Sequence, residues 1–231
     1  MRIRSFIIAY ALVLAILLFA DRRPTPVSQN RYSHVIDLTG MPGDAALNAG
    51  LLNGAQPPAP ASDSHTRIVA PDALIPGTWT AGQIPAERLI APLVVMDLNV
   101  ADRKAPAASS QISLDDIAAW ESQHGAIPQG AVVAIRHAGV GHGLPSVAVP
   151  ISADAAQFLM DARYTTGFAI ETQADFTTDR PLARQIALHG NYVVEGATRL
   201  TALPATGSLI IVAPAKDKKS RVGVRVLAMV K

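Results

Sequence analysis

The sequence predicts an α/β fold with a mixed central sheet or barrel and flanking helices. Three observations carry that expectation. Stretches with helical periodicity alternate with short apolar runs of strand length. The C-terminal third of the chain is strand-rich. Neither an internal repeat nor a glycine-rich phosphate loop points to a solenoid or a nucleotide fold. The 231 residues are enough for one domain with a sizeable core.

Arg2 and Arg4 precede an apolar run from Phe6 to Ala20, which Asp21-Arg22-Arg23-Pro24 ends. The run is long for a signal-peptide core and short of the ~20 residues of a full membrane span. Ala20 suits a cleavage site, whereas Leu18 is too large for the usual small-residue pattern. Residues 1–20 are therefore expected to be a signal peptide or an uncleaved anchor, with the membrane met through residues 6–20 in the second case. The domain would then be periplasmic, or anchored to the inner membrane and facing outward. Residues 21–31 are polar, contain two prolines and read as a linker. The globular domain is expected over 32–231.

Tyr32 to Thr39 has a short strand pattern. Met41 to Ser64 is rich in Gly, Pro, Ala and Asn and reads as a long loop. Pro85 opens a short helical turn, and Pro92 is expected to start a buried strand, Leu93–Leu98. Residues 99–111 form a second polar loop. Ser113-Leu-Asp-Asp116 is a capping-box start for a helix stopped by Gly125, with Leu114, Ile117 and Trp120 on one face. Ala131–Arg136 is a strand. Ser152 caps the next helix, which turns Ala155, Phe158 and Leu159 inward. Gly167–Glu171 is a strand. Asp179-Arg-Pro181 opens a helix that Gly190 ends. The strands Asn191–Glu195, Gly207–Val212 and Val222–Val230 follow. Lys216-Asp217-Lys218-Lys219-Ser220-Arg221 lies between the last two and reads as a solvated hairpin turn.

Composition excludes some functions. The formal net charge is +2, and the pI of about 9.1 rests on that small excess, so no nucleic-acid-binding stripe is expected. The absence of cysteine removes disulfides and thiol chemistry.

Several segments together resemble the cyclase family, which includes bacterial kynurenine formamidases. They are Asp37-Leu-Thr39, Ile84-Pro-Ala-Glu-Arg-Leu-Ile-Ala-Pro-Leu-Val-Val-Met-Asp97, Gly125-Ala-Ile-Pro-Gln-Gly130 with the strand ending at Arg136, and Leu203-Pro-Ala-Thr-Gly207. The resemblance covers roughly residues 32–231. It implies a swivelling β/β/α fold, often dimeric, and hydrolysis of an N-formyl amide at a metal site of motif H-x-G-T-H-x-D-x-P-x-H.

Laid on that motif, Asp63 to Ala73 keeps Thr66 and Pro71 but carries Asp63, Arg67, Val69 and Ala73 at the ligand positions. Valine and alanine cannot bind a metal, and arginine repels one. No metal cofactor is therefore expected; zinc or manganese would be, were the site rearranged around Asp63, His65 and Asp72. Gly40 stands where the family usually has histidine. Glu195 matches the family's acid/base glutamate, and Ala183 falls where its partner histidine belongs.

Pocket candidates are thus Asp63, His65, Arg67, Asp72, His137 and His142, with Glu195 as the catalytic candidate. Arg67 has two readings: an internal pair with Asp63, Asp72 or Glu195, or an open site for a small carboxylate or other anion. His34, His124 and His189 read as structural, and Trp79 and Trp120 as core. Three functions stay open: an exported, non-catalytic relative that keeps a pocket; an active arylformamidase-type amide hydrolase with a rearranged site; and a structural or partner-binding domain at the membrane surface.

Overall fold

The structure is a computed structural model that describes residues 32–40, 65–99, 111–138, 150–171 and 180–231, except the side chains of 99, 137 and 138. These all lie in the compact unit Tyr32–Lys231. The expected anchor, the linker, the loop at 41–64 and most of that at 99–111 lie outside the described residues. Among the described residues, no helix is long and apolar enough to cross a membrane.

Among the described residues, eight strands form one sheet: β1 (His34–Asp37), β2 (Arg67–Val69), β3 (Ile90–Asn99), β4 (Val132–Ala138), β5 (Gly167–Ile170), β6 (Tyr192–Glu195), β7 (Ser208–Pro214) and β8 (Arg221–Val230). Their order is β1-β8-β2-β6-β5-β4-β3-β7, and β7 pairs again with β8. Seven strands, β2 to β8, therefore close into a barrel-like ring, and β1 lies beside β8. Strands β3, β4, β5 and β6 run parallel, while β2, β7 and β8 pair antiparallel.

Side chains alternate along each strand, so the sheet divides the core in two. Val95, Val132, Ala134, Ala169, Val194, Ile210 and Val226 fill the barrel interior. Val94, Met96, Val133, Ile135, Phe168, Ile170 and Val193 face outward under three helices. These are α2 (Leu114–His124), α3 (Ala153–Ala162) and α4 (Arg180–Leu188); the single turn α1 (Ala86–Leu89) precedes β3. Ile117 and Trp120, Ala155 and Leu159, and Leu182 and Ile186 supply the helix side.

The capping box of α2 is present: Asp116 N–H donates to Ser113 Oγ at 3.3 Å and Ser113 N–H donates to Asp116 Oδ2 at 2.7 Å. Gly125 ends the helix with positive φ. Ser152 caps α3 through Ala155 N–H.

Four sequence expectations need correction. Strand β3 begins at Ile90, before Pro92, because pairing with β4 starts only at Leu93 and the proline interrupts no bond to that neighbour. Leu114 is exposed, since it sits in the first turn of α2, short of the sheet. Trp79 is also at the surface, 37% exposed, with its ring against the Arg88 guanidinium. The β7–β8 turn is docked rather than simply solvated. Gly82 N–H donates to Asp217 O and Ala81 N–H to Lys219 O, both at 3.1 Å. A Cβ at Gly82 would stand 2.6 Å from Asp217 O, so only glycine admits the turn this closely.

Candidate functional site

At the end of β6, Glu195 follows Val193 by two residues and so emerges on the helix-side face of the sheet. Arg67, the first residue of β2, lies directly opposite it in the antiparallel register. Arg67 Nε donates to Glu195 Oε2 at 2.5 Å. The carboxylate is buried, with only 1% of the side chain exposed, and the arginine is 19% exposed. Of the two readings of Arg67, the internal pair is the one found, and its partner is Glu195.

Thr66 and Ile68 point the other way. The Thr66 hydroxyl donates to Gly196 O at 2.6 Å and accepts from Gly40 N–H at 2.6 Å. This retained motif residue is a latch that ties the chain after β1 to the chain after β6. Its role was hidden in the sequence, because both partners are backbone atoms far away along the chain.

His65 lies with its ring edge against Gly223, the residue opposite Arg67 on β8. Asp72 is a correction: it belongs to a turn, not to the pocket. Its Oδ1 accepts from Gly77 N–H at 2.9 Å and its Oδ2 from Ser220 Oγ at 2.6 Å. The Ser220 hydroxyl, then the Gly77 amide, holds the Asp72 carboxyl below its ordinary pKa. Among the described residues, no three His, Asp or Glu side chains come together in a group that could hold a metal ion. Asp63 and His142 lie outside the described residues. His137 is placed only by its backbone, opposite Leu98 in the β3–β4 register.

A metal does not fit the described part of the motif. Arg67 supplies a cation where a ligand would stand, Val69 is buried and apolar, and Ala73 has no donor side chain. Ala183, at the expected place of the partner histidine, is buried in the helix-side core.

A second ion pair closes the same end of the barrel. Arg136, opposite Asp97 in the β3–β4 register, donates through Nε to Asp97 Oδ1 and through Nη2 to Oδ2 at 2.9 Å. Its Nη1 donates to Leu200 O and Leu203 O, both at 3.0 Å. The Asp97 hydrogen bond, opposed by burial, raises the Arg136 pKa above its ordinary value. Sequence reading had each residue within a matched segment, but not the pairing; the signal was two charges ending adjacent apolar strands.

The cyclase family, described as "Putative cyclase", matches residues 60–175. The chain belongs to this family. Solved structures with this fold include isatin hydrolase A from Ralstonia solanacearum, with a TM-score of 0.62 and 22% identity, covering 96% of this chain and 97% of that one. Isatin hydrolase A from Labrenzia aggregata, bound to benzyl benzoate, gives 0.60 and 23% over 96% and 99%. A potential metal-dependent hydrolase with cyclase activity gives 0.57 and 22% over 86% and 98%. At these identities the likeness shows the fold. No match was found among curated proteins. Within this cyclase-family chain, the matched region carries the altered ligand positions Asp63 to Ala73 and ends before Glu195.

Proposed function

We propose that this chain is an exported cyclase-family protein that no longer performs the family's metal-dependent amide hydrolysis and keeps a small-molecule pocket. The observation that carries the reading is the Arg67–Glu195 pair. A guanidinium stands at a ligand position, and its hydrogen bond engages the carboxylate that would otherwise handle protons. The residues at two positions of the family's site are thus paired with each other. The apolar run 6–20, with Arg2 and Arg4 before it, supports export to the periplasm or an outward-facing anchor.

A second reading, an active amide hydrolase with a rearranged site, is favoured by the names of the structural neighbours, which are isatin hydrolases and a metal-dependent hydrolase.

Metal analysis and assay separate the two. Purified full-length protein is expected to carry well below one equivalent of zinc or manganese and to leave N-formylkynurenine and isatin intact. Stoichiometric metal, with hydrolysis of either compound that a chelator abolishes, would overturn the first reading and establish the second.

A further inference from the structure

The parallel strands begin at the opposite end from Glu195, and a surface cleft opens there. Its volume is about 290 Å³, at the lower limit for small-ligand sites. Arg88, Met160, Tyr164, Thr165, His189 and Asn191 line it, together with Asp161.

Arg88 comes from α1 and reaches the starts of β5 and β6. Its Nη2 donates to Asn191 Oδ1 at 2.8 Å, Gly190 O at 3.2 Å and Thr166 O at 3.4 Å. All three contacts fall on one nitrogen. Nε is buried with no partner, and Nη1 has no protein acceptor among the described residues. A guanidinium has five N–H donors, so three make no protein hydrogen bond here, and the two on Nη1 are the ones a ligand can reach. Unlike Arg67, Arg136, Arg163 and Arg225, Arg88 meets no carboxylate among the described residues.

The surroundings are aromatic. The Arg88 guanidinium carbon lies 5.4 Å from the centroid of the partly exposed Trp79 ring. Tyr164, 63% exposed, is held at φ 50°, in the left-handed region that a bulky side chain seldom adopts. Asp161, the one acidic group among the described residues lining the cleft, is engaged: His189 Nε2 lies 3.0 Å from Asp161 Oδ1, and His189 Nδ1 lies 2.9 Å from Gln185 O.

From this geometry we infer that the cleft binds a small organic monocarboxylate with an apolar or aromatic body, its carboxylate received by Arg88 and its body set between Tyr164 and Met160. A guanidinium with unused donors on an aromatic support suits a carboxylate. Asp161 disfavours a second negative charge on the ligand, which argues against phosphate and dicarboxylates.

The test is an NMR-followed titration of the full chain with phenylacetate, using phenylacetamide and inorganic phosphate as controls. Phenylacetate is expected to shift the Thr165, His189 and Asn191 amides saturably, with phenylacetamide and phosphate much weaker. Arg88→Met is expected to weaken phenylacetate by about tenfold or more. Should that variant fail to fold, Arg88→Lys keeps the charge but loses the Nη1 donors, and is still expected to bind more weakly. Tyr164→Gly accommodates the positive φ and is expected to fold while binding less. Equal binding of acid and amide, saturable shifts confined to the Arg67–Glu195 end, unchanged binding in Arg88→Lys, or no saturable shift at all would each overturn the inference.

Discussion

The two ends of the barrel handle arginine in opposite ways. Where β3, β4 and β6 finish, Arg67 meets Glu195 and Arg136 meets Asp97, so each cation is matched within the chain. Where β5 and β6 begin, Arg88 is half-buried against carbonyls and an amide oxygen, and burial lowers its pKa from the ordinary arginine value. The contrast is not simply a property of that end. Nearby Arg163 grips Glu121 with both oxygens, at 2.7 and 2.8 Å. A matched pair is a finished structure, whereas an arginine with spare donors still has binding capacity. Arg67 and Arg136, at the end carrying the family's motif, are matched, and Arg88, at the opposite end, keeps spare donors.

The largest expected effect tests the closure. Arg67→Met should lower unfolding stability by about 3–5 kcal/mol, since it takes a charged partner away from a buried carboxylate. Adding Glu195→Gln should recover part of that loss in a double-mutant cycle read by urea denaturation. A loss of a few tenths of a kcal/mol would mean that the pair is not the internal closure described here.

Next comes a direct comparison of the two ends. Arg136→Met removes a two-oxygen grip on Asp97 and two carbonyl contacts, and should cost about 2–3 kcal/mol. Arg88→Met leaves only neutral acceptors behind and should cost about 1 kcal/mol. The reverse ranking would break the distinction between a matched arginine and an open one.

The smallest effect is the pH dependence of the Arg163 pair. The Arg163 hydrogen bond, opposed by burial, holds the Glu121 carboxyl below its ordinary pKa, and the Ile127 amide adds to the lowering. A carboxyl depressed in the folded state contributes its stability fully above the unfolded value, ~4.3, and loses it as pH falls through the folded value. Thermal unfolding between pH 6 and pH 2 should therefore show a steeper acid loss in wild type than in Glu121→Gln. Identical slopes would show that the pair contributes nothing.

Much of this architecture was legible in the sequence, for local reasons. Ser113 and Asp116 announce a helix start because the capping box lies within four residues. The apolar runs around Val95, Val133 and Val194 announce strands buried on both faces. The Arg67–Glu195 pair was legible only as one of three choices, since it spans 128 residues and depends on strand register. Trp79 misled because aromaticity usually means burial, and a cation can hold an indole at the surface instead. Arg88 gave no signal at all: it lies in a helical turn, and its surroundings come from β5, β6 and the loops before them. Helix caps are written in neighbouring letters, whereas sites built by register are written in distant ones.

The pairing of β8 carries a consequence for the order of folding. This strand joins β1, β2 and β7, and it follows all three in the chain. No ring can therefore close before β8 has been made. The parallel strands can gather first, but β2 waits for Val222 as one of its two partners. Such long-range closure makes folding slow and late. Until β8 emerges, β1 lacks its partner and β2 and β7 each lack one of two, so a single late strand completes three pairings at once.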